Sequence, residues 1–161
     1  MSVPGQRPTL RIRPLDVDQN ADFDILLDLC KEHAEYERLG FRRGDQPTRW
    51  RRHLAQGRLR ILFAEVQGDP AGEVVGYAAT SLEYSTWAAR EYLHLDCLYV
   101  RESARGLGVG TRLLDAAKDH ARDAGCCEIQ WQTPPWNEKA VGFYHRRGAT
   151  SLPKLRFAAS P

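Results

Sequence analysis

The segment that most constrains this chain is RGLGVGT at 105–111, a glycine-rich stretch between an apolar run and a helical pattern. The run before it, 91–100, has the composition of a strand. After it, Leu113, Leu114 and Ala117 recur on one side of a helix. Glycines without Cβ atoms let backbone N–H groups approach an anion where the helix dipole is positive. The order of strand, glycine loop and helix therefore predicts a diphosphate-binding loop.

Glycine-rich loops also occur in turns and in other nucleotide-binding motifs. A tight structural turn uses glycines just as readily, so the glycines alone leave that alternative open. A P-loop requires a lysine after its last glycine, and Thr111 stands there instead. A dinucleotide-binding fingerprint belongs early in a βαβ unit, which this position does not match. Arg105 would add a charged, forked donor for a phosphate group.

The rest of the chain shows short strand and helix patterns without an internal repeat. Strands are predicted at 10–15, 60–66, 74–84, 91–100, 128–132 and 155–158, and helices at 22–39, 47–57, 110–124 and 137–147. Gly, Asp and Pro between the second and third strands predict a turn, and hence an antiparallel hairpin. At 161 residues the chain fits one domain, predicted at 10–161 behind a flexible N-terminus at 1–9.

Composition and charge argue against several classes of protein. A net charge of +2 is too small to indicate nucleic-acid binding, and the arginines between 42 and 60 fit either a solvated helix face or phosphate steering. The four cysteines form no CxxC pair, which predicts reduced thiols and no metal site. The start of the chain does not resemble a signal peptide, and no apolar run is long enough for a membrane helix. We therefore expect a cytoplasmic protein without membrane or nucleic-acid partners.

Two motifs resemble those of a known superfamily. RGLGVG at 105–110 matches the Q/R-x-x-G-x-G/A signature of the GCN5-related N-acetyltransferases (GNAT), and WNEKAVGFYHRRGA at 136–149 is similar to their later Asn, Phe-Tyr and Gly-Ala segment. Both stand in the order and spacing of that superfamily. AEYE at 34–37, LHLDCLYV at 93–100 and Trp87 resemble its spermidine/spermine (diamine) N-acetyltransferase branch.

This resemblance implies a fold and a cofactor. The implied fold class is α/β (α+β), a GNAT fold with a mixed, mostly antiparallel central sheet, a splayed strand pair and about four flanking helices. Acetyl-CoA (coenzyme A) would be the co-substrate and the protein a homodimer. An edge exposed by splaying could pair with the amides of pantetheine, much as a peptide adds to a sheet. The implied coenzyme A ligands are Leu98, Tyr99, Val100, Arg105, Gly106, Leu107, Gly108, Val109, Gly110, Thr111, Asn137 and Tyr144.

Acetyl transfer to an amine requires a group that arranges loss of the amine proton, because an alkylamine has a pKa of about 10.4. Asp96 is the candidate. Strand alternation would place it on one face that leads toward the cofactor, together with Tyr92, His94, Leu98 and Val100. The diamine branch has a glutamate at this position, so the shorter Asp96 favours a route through water. Two alternatives stay open, in which Asp96 only binds a cation or His94 is the base.

Tyr144 is the candidate general acid. The resemblance places it beside the sulfur of coenzyme A, and a phenol can protonate a departing thiolate. Its alternative role is packing beside Phe143 on a helix. A backbone N–H, for example that of Leu98, would polarise the thioester carbonyl.

The acceptor side is predicted from acidic and aromatic residues near the end of the first helix, where Glu32, Glu35 and Glu37 surround Tyr36. Carboxylates attract ammonium groups, and aromatic faces add cation–π attraction, although a solvated helix face would have the same composition. The substrate-binding candidates are Tyr36, Glu37, Trp87, Asp96 and Gln132.

Together these residues predict an N-acetyltransferase that moves acetyl from acetyl-CoA to a primary amine of a small molecule, by direct attack in a ternary complex. A polyamine, a diamine or an amino acid would be the acceptor. Ser85 and Thr86 stand where the diamine branch tends to have an acidic residue, so amino-bearing antibiotics also stay open. The alternatives are protein or peptide N-acetylation and a non-catalytic sensor of acyl-CoA.

Overall fold

The structure is a computed structural model that describes residues 9–67 and 72–161. The flexible N-terminus predicted for 1–9 lies, except for Thr9, outside these residues. The chain forms two compact units, one ending at Trp131 and the other spanning Gln132–Pro161. The single domain over 10–161 stays a prediction. In the part of the chain that the structure describes, no helix has the length and apolar character needed to cross a membrane.

The first unit contains a five-stranded sheet with the order β1-β2-β3-β4-β5. The strands are β1 (Leu10–Pro14), β2 (Arg60–Val66), β3 (Glu73–Ser85), β4 (Arg90–Val100) and β5 (Ile129–Gln130). The helices of this unit are α1 (Asn20–Tyr36), α2 (Gln46–Ala55) and α3 (Val109–Asp123), and the second unit holds α4 (Glu138–Arg146). All neighbouring strands pair antiparallel except β4 and β5, which are parallel. The predicted mixed, mostly antiparallel sheet with about four helices is confirmed for residues 9–67 and 72–161.

The two parallel strands are splayed. β4 and β5 pair only through Leu93 with Ile129 and His94 with Gln130. Beyond His94, β4 continues to Val100 along β3. The outer edge of β4 from 95 to 100 therefore runs past the end of its ladder with β5, which leaves an edge of the kind that an extended ligand can join.

The first unit has a core on each face of its sheet. Phe23 and Leu26 of α1 pack with Phe63 and Tyr77, and these four side chains are almost fully buried. On the other face α3 contacts β3 and β4 and buries its own apolar side, including Leu113. Burying a side chain of this size contributes about 1.5–3 kcal/mol, so the apolar stripes of both helices are sufficient reason for their positions.

The largest differences from the predicted elements concern two strands and the end of the first helix. The predicted strand at 155–158 is wrong, since that segment has no strand and Phe157 is exposed; a short alternation forms a strand only where a ladder partner is available. The strand predicted at 128–132 shortens to Ile129–Gln130. α1 ends before the predicted stop at Gly40, because Arg38 takes a positive φ of 62° and the N–H of Leu39 bonds to the carbonyl of Ala34, as in a Schellman motif.

Candidate active site

The glycine loop has the backbone geometry of an anion site. Gly106 and Gly108 have φ values of +78° and +82°, a region that side chains with a Cβ rarely adopt. Gly108 is the N-cap of α3, and its carbonyl accepts a hydrogen bond from the N–H of Arg112 at 3.1 Å. The N–H groups at 109–111 precede that bond, so they have no partner within the helix. The loop and its donor set therefore fit a diphosphate, and the contacts predicted for it stay a prediction.

Arg105 connects this loop to the end of α1. Its Nε donates to the carbonyl oxygen of Val100 at 2.9 Å. Its guanidinium carbon lies 4.5 Å from the ring centroid of Tyr36 and 5.9 Å from that of Tyr99. The predicted role of Arg105 as a phosphate ligand stays a prediction. The carbonyl of Val100, one of the residues implied as coenzyme A ligands, therefore already accepts one hydrogen bond.

β4 contains a β-bulge at Asp96. Opposite β3, Ala79 pairs with Cys97 and Thr80 pairs with Leu95, so Asp96 is an extra residue without a partner across the ladder. A bulge of this kind bends the strand and changes the direction in which side chains point. It therefore sets the orientation of the predicted catalytic carboxylate.

The bulge also reverses which face the side chains of β4 occupy. Before it, Leu95 lies opposite Thr80, whose hydroxyl contacts His120 of α3. After it, Tyr99 lies opposite Tyr77 and stacks on His33 of α1. The prediction that Tyr92, His94, Asp96, Leu98 and Val100 share one face is therefore wrong, because the period of two does not continue through a bulge.

Asp96 is exposed and has only weak contacts with its neighbours. Its Oδ1 lies 3.6 Å from Nε2 of His94, and 61% of its side chain is accessible. Its Oδ2 lies 3.6 Å from Sγ of Cys97. A nitrogen–oxygen distance of 3.6 Å is longer than a hydrogen bond, which leaves the carboxylate able to accept one from a ligand or from water.

The structure brings the predicted acceptor residues Tyr36 and Glu37 together with a histidine that the sequence analysis did not select. The ring centroids of Tyr36 and Tyr99 lie 6.4 Å apart. Nε2 of His33 lies 3.4 Å from Oε1 of Glu37, and its Nδ1 lies 3.0 Å from Oη of Tyr77. The spacing of four residues between His33 and Glu37 was the available signal. We call Tyr36, Glu37, His33, Tyr77 and Tyr99 the α1 wall.

Glu32, which the sequence analysis grouped with Glu37, has a different role. Arg101 donates to both of its carboxylate oxygens, with Nε to Oε2 at 3.0 Å and Nη2 to Oε1 at 2.9 Å. Arg101 also pairs with Glu73 at 3.2 Å. Because Glu32 is neutralised in this way, Glu37 is the better candidate on α1 for holding a cation.

Burial sets the protonation states within the α1 wall. It lowers the pKa of His33 below the ordinary 6.5, although the charges of Glu37 and Asp96 oppose the shift. It raises the pKa of the Tyr77 phenol, an effect reinforced by the neighbouring thiols of Cys97 and Cys30. At neutral pH His33 is therefore uncharged, and the hydroxyl of Tyr77 keeps its proton.

Trp87 lies apart from this group. It is fully exposed in the turn between β3 and β4. From Arg90, the first residue of β4, to Asp96 the strand advances by about 20 Å at its usual rise per residue. Its predicted part in acceptor binding stays a prediction.

The remaining predicted site residues belong to the second unit. Oδ1 of Asn137 accepts the N–H of Ala140 at 3.2 Å, which makes this buried side chain the N-cap of α4. The rings of Tyr144 and Phe143 pack edge to face, with centroids 5.2 Å apart. Gln132 is exposed. The roles predicted for Asn137, Tyr144 and Gln132 in cofactor or substrate binding stay predictions.

Comparison with known proteins identifies the family. The sequence model of the family described as "Acetyltransferase (GNAT) family" matches residues 26–149. Thialysine N-epsilon-acetyltransferase of Bos taurus is 31% identical over 140 residues, which cover 83% of this chain and 82% of the relative. Blasticidin-S acetyltransferase of Streptomyces morookaense is 38% identical over 91 residues, which cover 54% of this chain and 58% of that protein.

A solved structure has the same fold. An aminoglycoside acetyltransferase from an uncultured soil metagenomic sample, in complex with sisomicin, superposes with a TM-score of 0.75 at 16% identity, covering 94% of this chain and 95% of that chain. The chain belongs to the GNAT acetyltransferase family and is an acetyltransferase.

Proposed function

We propose that the protein transfers acetyl from acetyl-CoA to a primary amine of a small, positively charged molecule, by direct attack in a ternary complex. A diamine, a polyamine or an amino acid with a side-chain amine is the proposed acceptor class. The relative named for acetylation at an epsilon amine supports a flexible alkylamine acceptor. The proposed homodimer rests on the family resemblance, and the proposed cytoplasmic location on the sequence.

The observation that carries this proposal is the position of Arg105. It follows β4 at the start of the glycine loop, and its guanidinium lies over Tyr36 of the α1 wall. The anion site at the start of α3 and the acidic, aromatic end of α1 are therefore neighbours within one unit. A molecule with a diphosphate and a molecule with an ammonium group would meet at β4, between these two features.

Residues of the first unit would hold acetyl-CoA, which supplies an activated thioester carbon. The N–H groups at 109–111 would bind the diphosphate, because they lack helical partners and lie at the positive end of the α3 dipole. The free edge of β4, including Leu98, would pair with the amides of the pantetheine arm. A backbone N–H on that edge would stabilise negative charge on the carbonyl oxygen during attack.

Asp96 would arrange loss of the amine proton. The bulge leaves its carboxylate exposed, with the thiol of Cys97 at 3.6 Å as a weak donor, so a water molecule could bridge it to the incoming ammonium group. The proton would pass from that water to Asp96 and onward to solvent, to which 61% of the side chain is exposed. Tyr144 would donate its phenol proton to the departing thiolate.

A thiol-release assay with saturating acetyl-CoA tests the proposal. The acceptors are a diamine, a polyamine, lysine and an aminoglycoside, each over a range of concentrations. Thiol release that saturates with at least one of these amines is expected, together with a mass increase of one acetyl group on the amine. Calorimetry of acetyl-CoA binding is the companion measurement. If no amine gave thiol release although acetyl-CoA binds, the proposed reaction would be contradicted.

A further inference from the structure

His33 lies at the centre of a chain of polar contacts that runs from the core to the surface of the α1 wall. Only 15% of its side chain is exposed, against 27% for Glu37. Its ring stacks on Tyr99, with centroids 5.1 Å apart and planes at 21°, and meets Tyr77 edge-on at 5.9 Å. Two aromatic rings and two polar contacts thus fix the orientation of the imidazole.

The contacts around Tyr77 are the basis for assigning the proton of His33 to one of its two ring nitrogens. Sγ of Cys30 donates toward Oη of Tyr77 at 3.5 Å, which occupies one side of that oxygen. We assign the phenol proton to Nδ1 of His33, at 3.0 Å, because a ring nitrogen is a stronger acceptor than the thiols of Cys30 and Cys97 beside the same hydroxyl. The proton of the neutral imidazole is therefore on Nε2, the atom nearest Glu37, an assignment inferred from the hydrogen-bond network.

The series of donors, from the Tyr77 hydroxyl to Nε2 of His33, leads to the carboxylate of Glu37. Nε2 lies 3.4 Å from Oε1 of Glu37, so a neutral His33 with its proton on Nε2 can hold that carboxylate without cancelling its charge. Glu37 is the C-cap residue of α1 and is partly exposed, so its second oxygen can bind a ligand. Asp96, on β4, is a second carboxylate whose charge acts on His33.

We propose that His33 is a positioning residue that holds Glu37 for the second ammonium group of a dicationic acceptor, while Asp96 serves the amine that is acetylated. The inference rests on the proposed function and deepens it, because it assigns the acceptor two positive charges. Two carboxylates on separate elements, with a neutral donor between them, match a flexible diamine better than a monoamine. Replacement of His33 should change acceptor affinity more than the rate of the chemical step.

Protonation of His33 would remove the preference for a diamine over a monoamine. The groups that face it are Cys30 and Glu37 on α1, Tyr77 on β3, and Asp96, Cys97 and Tyr99 on β4. Of these, only the two carboxylates are charged at neutral pH. An imidazolium at 33 would pair with Glu37 and cancel its charge. As the pH falls through the pKa of His33, which burial lowers below the ordinary 6.5, the KM of a dicationic acceptor should rise while that of a monocationic acceptor should not.

The test compares 1,5-diaminopentane with 1-aminopentane, which has the same chain length and one charge fewer. kcat and KM for each are measured by thiol release from pH 5.5 to 8 at saturating acetyl-CoA. One variant is His33→Gln, which can donate to Glu37 but does not titrate. The other is His33→Leu, which keeps apolar packing on Tyr99 but has no hydrogen-bond donor. His53→Gln, on the exposed side of α2, is the matched control.

Wild type and H53Q should prefer the diamine by roughly fivefold in KM at pH 8, the effect of one partly exposed ion pair. That preference should decline on acidification. H33Q should keep the preference and lose its pH dependence, whereas H33L should lose the preference at every pH with kcat changed less than KM. An unchanged preference in H33L, or a pH dependence that persists in H33Q, would overturn the proposal.

A second measurement separates this inference from the proposed function. Thiol release with none of the amines would contradict the function, and the contact of His33 with Glu37 can still be measured by proton NMR titration of the imidazole. Glu37→Gln should lower the pKa of His33, because the negative charge that favours the imidazolium is gone. A pKa that does not move in E37Q would overturn the positioning role, whatever the enzyme acetylates.

Discussion

At the scale of single residues, the most specific prediction concerns the kinetic effect of replacing the carboxylate of Asp96. Asp96→Asn keeps the size of the side chain and removes its ability to take a proton, so kcat/KM for the amine should fall by about 100-fold or more. The KM for acetyl-CoA should stay near the wild-type value. Steady-state kinetics with each substrate varied in turn measures both.

Asp119→Asn is the matched control for this change. Asp119 is also an aspartate with 61% of its side chain exposed, but it pairs with Arg122 on α3. Its replacement should leave both constants within about twofold, as expected of a surface ion pair. If D96N retained full activity, Asp96 would be neither base nor relay, and His94 would take its place as the candidate.

The phenol of Tyr144 distinguishes an enzyme from a sensor of acyl-CoA. Tyr144→Phe keeps the ring that packs on Phe143 and removes only the hydroxyl. An enzyme that uses this proton should lose about 100-fold in kcat while its dissociation constant for acetyl-CoA, measured by calorimetry, is retained. The control is Tyr84→Phe on the exposed part of β3. Equal turnover in Y144F and Y84F would remove Tyr144 from the mechanism.

At the scale of elements, the glycine loop and α3 act together. Gly108→Ala would place a Cβ at a φ of +82° where no atom lies within 4 Å, so strain and not a clash is its consequence. We expect the loop to relax and misplace the first N–H groups of α3, which should raise the dissociation constant for acetyl-CoA roughly tenfold. Calorimetry measures this directly.

Gly57→Ala provides a control with matched strain. Gly57 follows α2, has a φ of +66° and also has open space around its Cα. Both variants should lose about 1 kcal/mol of unfolding free energy, but only G108A should bind acetyl-CoA more weakly. If G57A weakened binding equally, the loss in G108A would reflect general destabilisation and not the loop.

Much of the secondary structure could be predicted from the sequence, because periodicity and glycine stops mark most of the strands and helices. The bulge at Asp96 could not. Leu93 and Leu95 are buried on the α3 side and Tyr99 on the α1 side, yet all three occupy odd positions. An alternation of buried and exposed residues looks the same whichever face is buried, so the pattern continues across the bulge without a visible break.

The candidate site also has one part that could be predicted from the sequence and one part that could not. The loop at 105–111 could be predicted, because glycines and a helix start lie together in sequence. The contact of His33 with Tyr77 joins α1 to β3, and helix periodicity can indicate the buried side of α1 but not which strand residue meets it. Arg105 illustrates the same limit, since its contact with Tyr36 depends on where the end of α1 lies.

At the scale of the whole first unit, Arg13 ties together three elements that are distant in sequence. From β1 it donates to both oxygens of Asp22 on α1, at 2.6 and 2.9 Å, and to Oε2 of Glu65 on β2 at 2.7 Å. Asp22 also accepts the N–H of Asp16 at 2.8 Å. Burial opposes ionisation of Asp22, but these donors outweigh it and lower its pKa below the ordinary 3.8.

Asp22→Asn should therefore lower the free energy of unfolding at pH 7 by about 2 kcal/mol, since it removes a charged hydrogen-bond acceptor from a buried pair. A depressed carboxyl pKa gives stability that is present above the unfolded value and lost as pH falls through the folded one. The difference between wild type and D22N should thus shrink below about pH 4, as urea unfolding at pH 7 and pH 3 would show. Asp28→Asn, on the exposed face of α1 beside Arg43, should cost less than about 1 kcal/mol at either pH. A D22N deficit that persisted unchanged at pH 3 would mean that packing, and not the charge of Asp22, holds β1 to α1.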